Sequence, residues 1–336
     1  MNSMTTHDMK PGRTLPDSGK LRYGVIGVGS VGLTIAAHLA QAGHNVSLYC
    51  RRERVCDNIK DYPVAVSGEL NAEADIDRVY VDLDRFLADQ PNVIMLCVKG
   101  YATPALLSDI EMAGLPGNAV LVSCQNGIDV EKQISRVFGK ERTLRMVLNM
   151  GCNLHDTNKA IVHFSMPHFL SPALDGNTER AEQIARHLSE AGFETHVRKD
   201  YQTLAFKKAI LNIALGSCSA LTRMTMSEVM EEPGLYSMAA ALIREGIEVG
   251  QGLGLDIDWE YLNEAMEYLS KGGSHKPSIL MDIEEGKRTE NEYHCGNLLR
   301  HAKDLGIEVS VVDTTYCLIK ALEKTVRRSR LRDVTR

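Results

Sequence analysis

The chain has 336 residues, a length that suits about two domains, and its 44% hydrophobic and 24% charged residues are ordinary for a globular protein with a sizeable core. The formal net charge is −6, with acidic and basic residues mixed along most of the chain, so no electrostatic footprint for nucleic acid is expected. No apolar run is predicted to approach the length that spans a bilayer, which argues against a membrane protein.

The first predicted segment, Met1–Lys20, lacks the apolar region of a secretory signal peptide and is rich in small, polar and helix-breaking residues. We expect it to be a disordered tail. The eight cysteines show none of the short spacings of zinc or redox sites. Together with the isolated pair of His294 and Cys295, this predicts a reduced protein of the cytoplasm without a metal site.

After the tail, short apolar runs alternate with helical patterns, which predicts a doubly wound α/β domain over residues 21–199. The predicted buried strands are Leu21–Ile26, Val46–Cys50, Val93–Val98 and Ala119–Ser123. Helices are predicted at Val31–Ala42, Tyr101–Met112 and Asp129–Phe138. The rest of this half is predicted as strands Leu144–Leu148, Ala160–Phe164 and Glu194–Val197, with a helix at Thr178–Ala191.

From about residue 200 the pattern changes to helix after helix, which predicts an all-α domain over residues 200–330. The predicted helices are Tyr201–Leu215, Ser227–Gly252, Asp258–Leu269, Pro277–Glu285, Glu290–Leu305 and Val311–Val326. Glycines are expected to mark the joins between them at Gly216, Gly254, Gly272–Gly273, Gly286 and Gly306.

A glycine-rich motif follows the first strand and opens the first helix. Its residues are Gly27, Val28, Gly29, Ser30, Val31 and Gly32. Such glycines allow a tight turn, close approach of the backbone to a pyrophosphate, and close packing of the helix on the strand. The free N–H groups and the dipole at the helix N-terminus favour the anion. The motif therefore predicts a Rossmann-type site for a dinucleotide.

The end of the second strand distinguishes NADP from NAD. An NAD site usually offers an acidic residue to the ribose 2′-hydroxyl, whereas an NADP site prefers arginine. Arg51 is the first residue past this strand, which favours NADPH, and Arg52 follows it. Glu53 keeps NAD open as an alternative, and Arg51 could also be a solvated arginine at a strand end.

The helix predicted at Tyr201–Leu215 is apolar on nearly every side and should be largely buried. Lys208 and Asn212 are four residues apart and share one face of it. A lysine inside such a helix needs a partner or a cavity, so Lys208 is a candidate functional group. The alternative, a lysine that extends to solvent from the helix edge, fits Lys207 better.

A second cluster comprises Pro277–Ile283 and, shortly after it, Thr289 and Glu290. By itself, Glu290 could simply be a stabilising charge at the positive end of the following helix. With the glycine motif, Val98-Lys99, Gln125-Asn126-Gly127 and the lysine helix, however, the chain resembles the ketopantoate reductase family from about Leu21 to Leu322. The order and spacing of these pieces carry the resemblance, rather than any one of them.

The resemblance implies NADPH-dependent reduction of 2-dehydropantoate (ketopantoate) to pantoate, a step of pantothenate biosynthesis. Lys208 matches the family's general acid, and Glu290 matches the carboxylate that closes the site near the substrate hydroxyl and the cofactor. Lys99 and Asn126 match residues that line the nicotinamide end of the cleft and help to hold cofactor and substrate. Arg51 matches the residue that binds the 2′-phosphate.

Asn212 and Ser278 match the family's substrate-binding positions, but three other positions depart from its pattern. Gly216 stands where a second substrate asparagine is expected, and Met226 and His275 replace polar amides. Because polar groups determine discrimination in such pockets, the reaction class is unaffected but the identity of the 2-oxo acid is left open.

Two alternative functions are considered. A related dehydrogenase for another 2-oxo or hydroxy acid, including the opine and 6-phosphogluconate types, would share the glycine motif but would not need Pro277–Ile283 spaced before Glu290. A nucleotide-sensing protein without turnover would bind NADPH but would need no proton donor such as Lys208. The sequence leaves the oligomeric state open, with a homodimer as one alternative.

Overall fold

The computed structural model of the protein describes residues 21–172, 177–274 and 276–334, with side chains described as far as residue 328. The predicted tail Met1–Lys20 and the departure at His275 lie outside the described residues. The strands, in chain order, are β1 (Arg22–Ile26), β2 (Asn45–Tyr49), β3 (Val64–Gly68), β4 (Ala72–Ala74), β5 (Val79–Tyr80), β6 (Val93–Leu96), β7 (Val120–Ser123), β8 (Thr143–Val147), β9 (Met150–Asp156), β10 (Lys159–Ser165), β11 (His168–Pro172) and β12 (Thr195–Val197).

Eight of these strands form the main sheet, in the order β12-β11-β8-β7-β6-β1-β2-β5. The central strands β6 and β7 are fully buried and β1 is buried after Arg22, and the three pair in parallel, which is the pattern expected when helices cover both faces. The strand order reverses at β1, because β2 lies on one side of it and β6 on the other. Only β11 pairs antiparallel with its neighbour in this sheet. The predicted doubly wound α/β fold is confirmed.

A second sheet of four strands, in the order β4-β3-β10-β9, was not predicted as a separate sheet. The sequence indicated a strand near Ala160–Phe164, but it gave no reason to separate that strand from the main sheet. β9 and β10 form an antiparallel pair with irregular register, and β10 pairs in parallel with β3, about 90 residues earlier in the chain. Pairing at that sequence distance leaves no local signal.

The helices of the first half pack on the main sheet and connect its strands. They are α1 (Ser30–Gln41), α2 (Glu53–Asp61), α3 (Leu83–Ala88), α4 (Thr103–Ala113), α5 (Val130–Phe138) and α6 (Thr178–Glu190). α1 is buried along most of its length and lies between the two sheets. α4 has a proline in its first turn, where the missing N–H costs no helical hydrogen bond.

The second half of the chain is helical, as predicted. Its helices are α7 (Tyr201–Thr222), α8 (Met226–Glu231), α9 (Pro233–Gly252), α10 (Tyr261–Ser270), α11 (Ser278–Glu284), α12 (Asn297–Leu305) and α13 (Ser310–Val334). A π-helical turn at Glu292–Gly296 leads into α12.

Several predicted helix boundaries differ from the structure, and at two places the physical reason is clear. Gly216 lies inside α7 rather than at a join, because a helix interior tolerates glycine where a neighbour packs closely: a Cβ here would lie 2.8 Å from Cγ2 of Ile279 on α11. Conversely, the helix predicted at Ser227–Gly252 is broken before Pro233, which cannot continue a helix but suits the first turn of a new one.

The long helix α7 is the centre of the helical core, packed most closely against α9 and α11. Among the described residues it is the one helix with the length and apolar composition of a membrane span, so the expectation that no apolar run approaches this length was wrong. However, 67% of its apolar window is buried inside the molecule, as in the core helix of a soluble protein. Packing therefore accounts for its composition.

Candidate active site

A cavity of about 1000 Å³ lies between the carboxyl edge of the main sheet and the helices α7 and α11. The loops after β1, β6 and β7 open into it, at the side of the sheet where the strand order reverses. Such a crevice is where open α/β sheets bind their ligands. All the predicted site residues except Gly32 line this cavity: Gly27, Val28, Gly29, Ser30, Val31, Arg51, Lys99, Asn126, Lys208, Asn212, Ser278 and Glu290.

The glycine turn between β1 and α1 has the geometry that a dinucleotide needs. Gly27 has φ of +105°, and a Cβ there would lie 2.8 Å from the backbone carbon of Cys97. At Gly29 a Cβ would meet nothing within 4 Å, so the turn is open to the cavity. Gly32 is outside the lining because it packs against Gly27, whose oxygen would lie 1.9 Å from an added Cβ. Gly27 and Gly32 thus have a steric reason within the fold, whereas Gly29 leaves open space that a ligand could occupy.

The cavity extends to the end of β2, where Arg51 and Arg52 line it. Both arginines are exposed and no ion pair holds either of them among the described residues. Glu53, the residue that kept NAD open as an alternative, is outside the lining and begins α2. Two available guanidinium groups suit a phosphate better than a neutral ribose hydroxyl. The residues present therefore fit a nicotinamide dinucleotide.

Lys208 of α7 points across the cavity to the sheet. Its Nζ donates to Oδ1 of Asn126, at 2.9 Å, and to the carbonyl oxygen of Leu148. Both partners are uncharged, and no carboxylate is paired with this ammonium group among the described residues. Burial, followed by the nearby charge of Arg145, lowers the pKa of Lys208 to about 7, while Glu290 opposes the shift. Lys208 can therefore gain or lose a proton near neutral pH.

Arg145 of β8 is a charged group that the sequence analysis missed. Its guanidinium is buried, donates to the hydroxyl of Ser123 and the carbonyl oxygen of Gly127, and lies 3.8 Å from Glu131. These bonds stabilise the turn that carries Asn126. Burial lowers the pKa of Arg145 and raises that of Glu131. No sequence signal distinguishes this arginine from one at an ordinary strand surface.

Lys99, in contrast to Lys208, is held between two carboxylates. Its Nζ lies 2.7 Å from Asp282 and 3.3 Å from Glu290. Although burial acts to lower the pKa of Lys99, these two negative charges together raise it. Asp282 lies within the predicted Pro277–Ile283 segment, but it was not predicted as a site residue. Lys99 is thus a permanent cation that joins the strand end to α11.

Glu290 uses both carboxylate oxygens to bridge the two halves of the molecule. One accepts from the backbone N–H of Gly100 at 2.8 Å, and the other accepts from Lys99. Both oxygens accept from groups that follow β6, so a charge that only stabilises the start of its own helix does not account for these contacts. Glu290 is 7% exposed and lines the cavity.

Tyr293 fixes the same corner of the cavity by packing. A Cβ added to Gly100 would lie 3.1 Å from its ring, and one added to Gly127 would lie 2.8 Å from its Cβ. Its carbonyl oxygen accepts from the backbone N–H of Ile128 at 2.9 Å. Gly127 has φ of +114°, so the turn after β7 needs glycine for its backbone as well as for this contact.

At the substrate end, Asn212 lies one helical turn from Lys208 and Ser278 begins α11. Gly216 and Met226, two of the departures, also line the cavity. Ser217 lines it too, and its hydroxyl lies 3.9 Å from the Cys295 thiol. A side cavity of about 790 Å³ shares a boundary with this end, and the apolar groups common to both are Phe164, Met166, Met226, Tyr268 and Met281.

His294 is a further lining residue whose role the sequence analysis missed, because it was considered only as a metal ligand. It is 9% exposed, and its Nδ1 has no hydrogen-bond partner among the described residues. In the described part of the chain, no cluster of three or more metal-binding side chains is present. The site is therefore built from lysines, carboxylates, amides and one unpaired imidazole.

Two family models match most of the chain. The model described as ketopantoate reductase PanE/ApbA matches residues 23–170, and the model described as its C-terminal part matches residues 200–323. Similar curated relatives include the 2-dehydropantoate 2-reductase of Archaeoglobus fulgidus, 26% identical over 306 residues that are 90% of this chain and 98% of the relative. That of Pyrococcus abyssi is 27% identical over 304 residues, 89% and 97% of the two chains.

Solved structures share the fold over about nine tenths of the chain. The 2-dehydropantoate 2-reductase of Geobacter metallireducens has a TM-score of 0.84 at 20% identity, covering 90% of this chain and 99% of the other. D-mandelate dehydrogenase with NADH and anilino(oxo)acetate has a TM-score of 0.81 at 21% identity, with 91% and 99% covered. A dimeric ketopantoate reductase from Staphylococcus aureus has a TM-score of 0.76 at 18% identity, with 91% and 100% covered.

Proposed function

The chain belongs to the ketopantoate reductase family, and on that premise we propose that it reduces the ketone of 2-dehydropantoate with NADPH. One observation carries the proposal: Lys208 has no carboxylate partner among the described residues, and its ammonium group is directed into the cavity that begins at the glycine turn. The reaction would supply pantoate for pantothenate synthesis, in the cytoplasm. On the basis of the same family membership, we also propose that the protein forms a homodimer.

The residues around the cavity fit the cofactor as follows. The glycine turn and the N-terminus of α1 would hold the pyrophosphate, and Arg51 would hold the 2′-phosphate. When bound, NADPH supplies the hydride that reduces the ketone carbon. Lys99 and Asn126, at the ends of adjacent strands, would border the reacting end and orient the substrate.

Lys208 would act as the general acid. In its protonated form it can donate a hydrogen bond from Nζ to the ketone oxygen, which stabilises the negative charge that develops there. It then transfers a proton from Nζ to that oxygen, which gives the hydroxyl of the product and leaves a neutral amine to be protonated again from solvent. The pKa near 7 matches this task, and positioned proton transfer contributes about 10²–10⁴-fold in rate.

Asn126 and Glu290 would support the acid in different ways. Asn126 accepts from Lys208 through Oδ1 and so fixes the direction of Nζ. Glu290 is not bonded to Lys208; it bridges Lys99 and the Gly100 backbone and contributes negative charge to the cavity. Asn212 and Ser278 remain the proposed substrate contacts.

A second candidate is another small 2-oxo acid. The apolar residues near Met226 and the adjoining side cavity favour a substrate with a larger apolar substituent. The relatives that carry the name 2-dehydropantoate 2-reductase favour the first candidate. NADH is the corresponding second candidate for the cofactor.

Initial rates of NADPH oxidation, followed by absorbance with a panel of 2-oxo acids, test both candidates. The proposal expects ketopantoate to give the highest kcat/KM, and NADPH to be preferred to NADH. A larger value for an aromatic or long-chain 2-oxo acid would favour the second candidate. NADPH binding without oxidation by any member of the panel would instead indicate the nucleotide-sensing alternative.

A further inference from the structure

His294 lies on the floor of the cavity, one helical turn after Glu290. Its backbone N–H donates to the carbonyl oxygen of Glu290 at 3.2 Å, so the two side chains leave the same side of the chain. The π-helical turn Glu292–Gly296 carries His294, and such turns are frequent at functional sites. Both side chains line the same cavity as Lys208.

The imidazole of His294 is buried, but no hydrogen bond to a described residue compensates for its burial. Its side chain makes no hydrogen bond to a described residue, and Nδ1 is enclosed. A buried polar atom without a partner destabilises the fold, and an apolar side chain of similar size would fill the same space without that cost. A polar ligand group in the cavity would supply the missing partner.

The charges around His294 indicate which kind of group this is. Burial lowers the pKa of His294 to about 4; Glu290 opposes the shift, and Lys208, Lys99 and Arg145 add to it. The ring is therefore neutral at physiological pH and can donate from one nitrogen and accept at the other. A hydroxyl group, which can also donate and accept, is the matching ligand. A carboxylate group of the ligand would instead be bound more strongly by the nearby lysine and arginine side chains.

We propose that His294 binds a hydroxyl group on the substrate, beyond the ketone that Lys208 protonates, and so selects hydroxylated 2-oxo acids. This inference rests on the proposed function, because it needs a 2-oxo acid in the cavity. It assigns His294 a specificity role, separate from the proton transfer. In 2-dehydropantoate the group concerned is the terminal hydroxyl.

The test compares two substrates that differ only in that hydroxyl, 2-dehydropantoate and 3,3-dimethyl-2-oxobutanoate. The wild-type enzyme should prefer the hydroxylated substrate. His294→Leu should lower kcat/KM for 2-dehydropantoate about tenfold to hundredfold, mainly through KM, because a contact made before and during the reaction acts on binding. The same variant should change kcat/KM for the analogue less than about threefold, and His294→Gln should retain part of the preference.

His301→Leu is the matched control, since His301 is bonded to Asp129 at 2.8 Å and does not line the cavity. It should leave the substrate preference unchanged. Thermal unfolding and NADPH fluorescence check that each variant folds, and His294→Phe, which keeps a ring of similar shape, replaces the leucine variant if that one does not.

Different results would contradict the role of His294 and the proposed function. If the wild type reduces both substrates and the ratio of their kcat/KM values is the same in His294→Leu or His294→Phe, the role of His294 is wrong and the proposed reaction remains. If the wild type oxidises NADPH with neither substrate nor any other 2-oxo acid, the proposed function fails and the inference fails with it.

Discussion

The two walls of the cavity are built differently. On the sheet side, the proposed cofactor site depends on backbone geometry, with Gly27 at positive φ and Gly32 too close to Gly27 for any side chain. On the helical side, the site depends on charges that balance one another over long sequence distances, such as Lys99 with Asp282. A site made by backbone geometry can be recognised from a local sequence motif. A site made by paired charges forms only when the folded chain brings the partners together.

The sharpest test of the helical side is the removal of the Lys208 ammonium group, which has no carboxylate partner among the described residues. Lys208→Ala should still fold and bind NADPH but lose about 10²–10⁴-fold in kcat, because only the proton donor is lost. Steady-state rates and NADPH fluorescence measure the two properties separately. The neighbouring Lys207, whose ammonium lies 4.7 Å from the centre of the Tyr261 ring, provides the control variant Lys207→Ala. Near-normal turnover of Lys208→Ala would remove it from the acid role.

Arg145 tests whether the charges of this side also stabilise the fold. Arg145→Met leaves the buried Glu131 without its cation, which should lower the free energy of unfolding by about 3 kcal/mol. Chemical denaturation measures this change. The double variant with Glu131→Gln should recover more than half of the loss, because the unpaired charge is then absent. If the double variant is as unstable as the single one, packing rather than charge accounts for the effect.

A variant on the sheet side should alter cofactor choice but leave the chemistry intact. Arg51→Ala should reduce the ratio of kcat/KM for NADPH to that for NADH about tenfold to hundredfold, since a charge-assisted hydrogen bond to phosphate is lost. Arg52→Ala is the adjacent control and should have the smaller effect. An unchanged ratio in Arg51→Ala would show that Arg51 does not select the cofactor.

The smallest effect expected is a shift in the pH profile. Lys208 donates only when it is protonated, so kcat should fall as pH rises above about 7, by up to about tenfold per pH unit. In Arg145→Met this decrease in kcat should occur at higher pH, because the positive charge of Arg145 acts to lower the pKa of Lys208. A rate that stays constant from neutral to alkaline pH would contradict the assignment of the acid.

Sequence reasoning succeeded where the signal was local. The glycine motif, the alternation of strands and helices, and the apolar helix around Lys208 each lie in a single stretch, and the fold class followed from them. Gly216 led to a wrong helix boundary, because the reason for a glycine there is a contact with Ile279, on another helix. The smaller sheet, Asp282 and Arg145 were missed for the same reason: each depends on a partner that only the folded chain brings near.

Tyr293 has a mechanical consequence. By filling the space above Gly100 and Gly127 while its carbonyl holds Ile128, it pins the helical half to two neighbouring strand ends at once. A corner fastened in this way resists separation of the two halves, so the end of the cleft near Glu290 keeps its spacing.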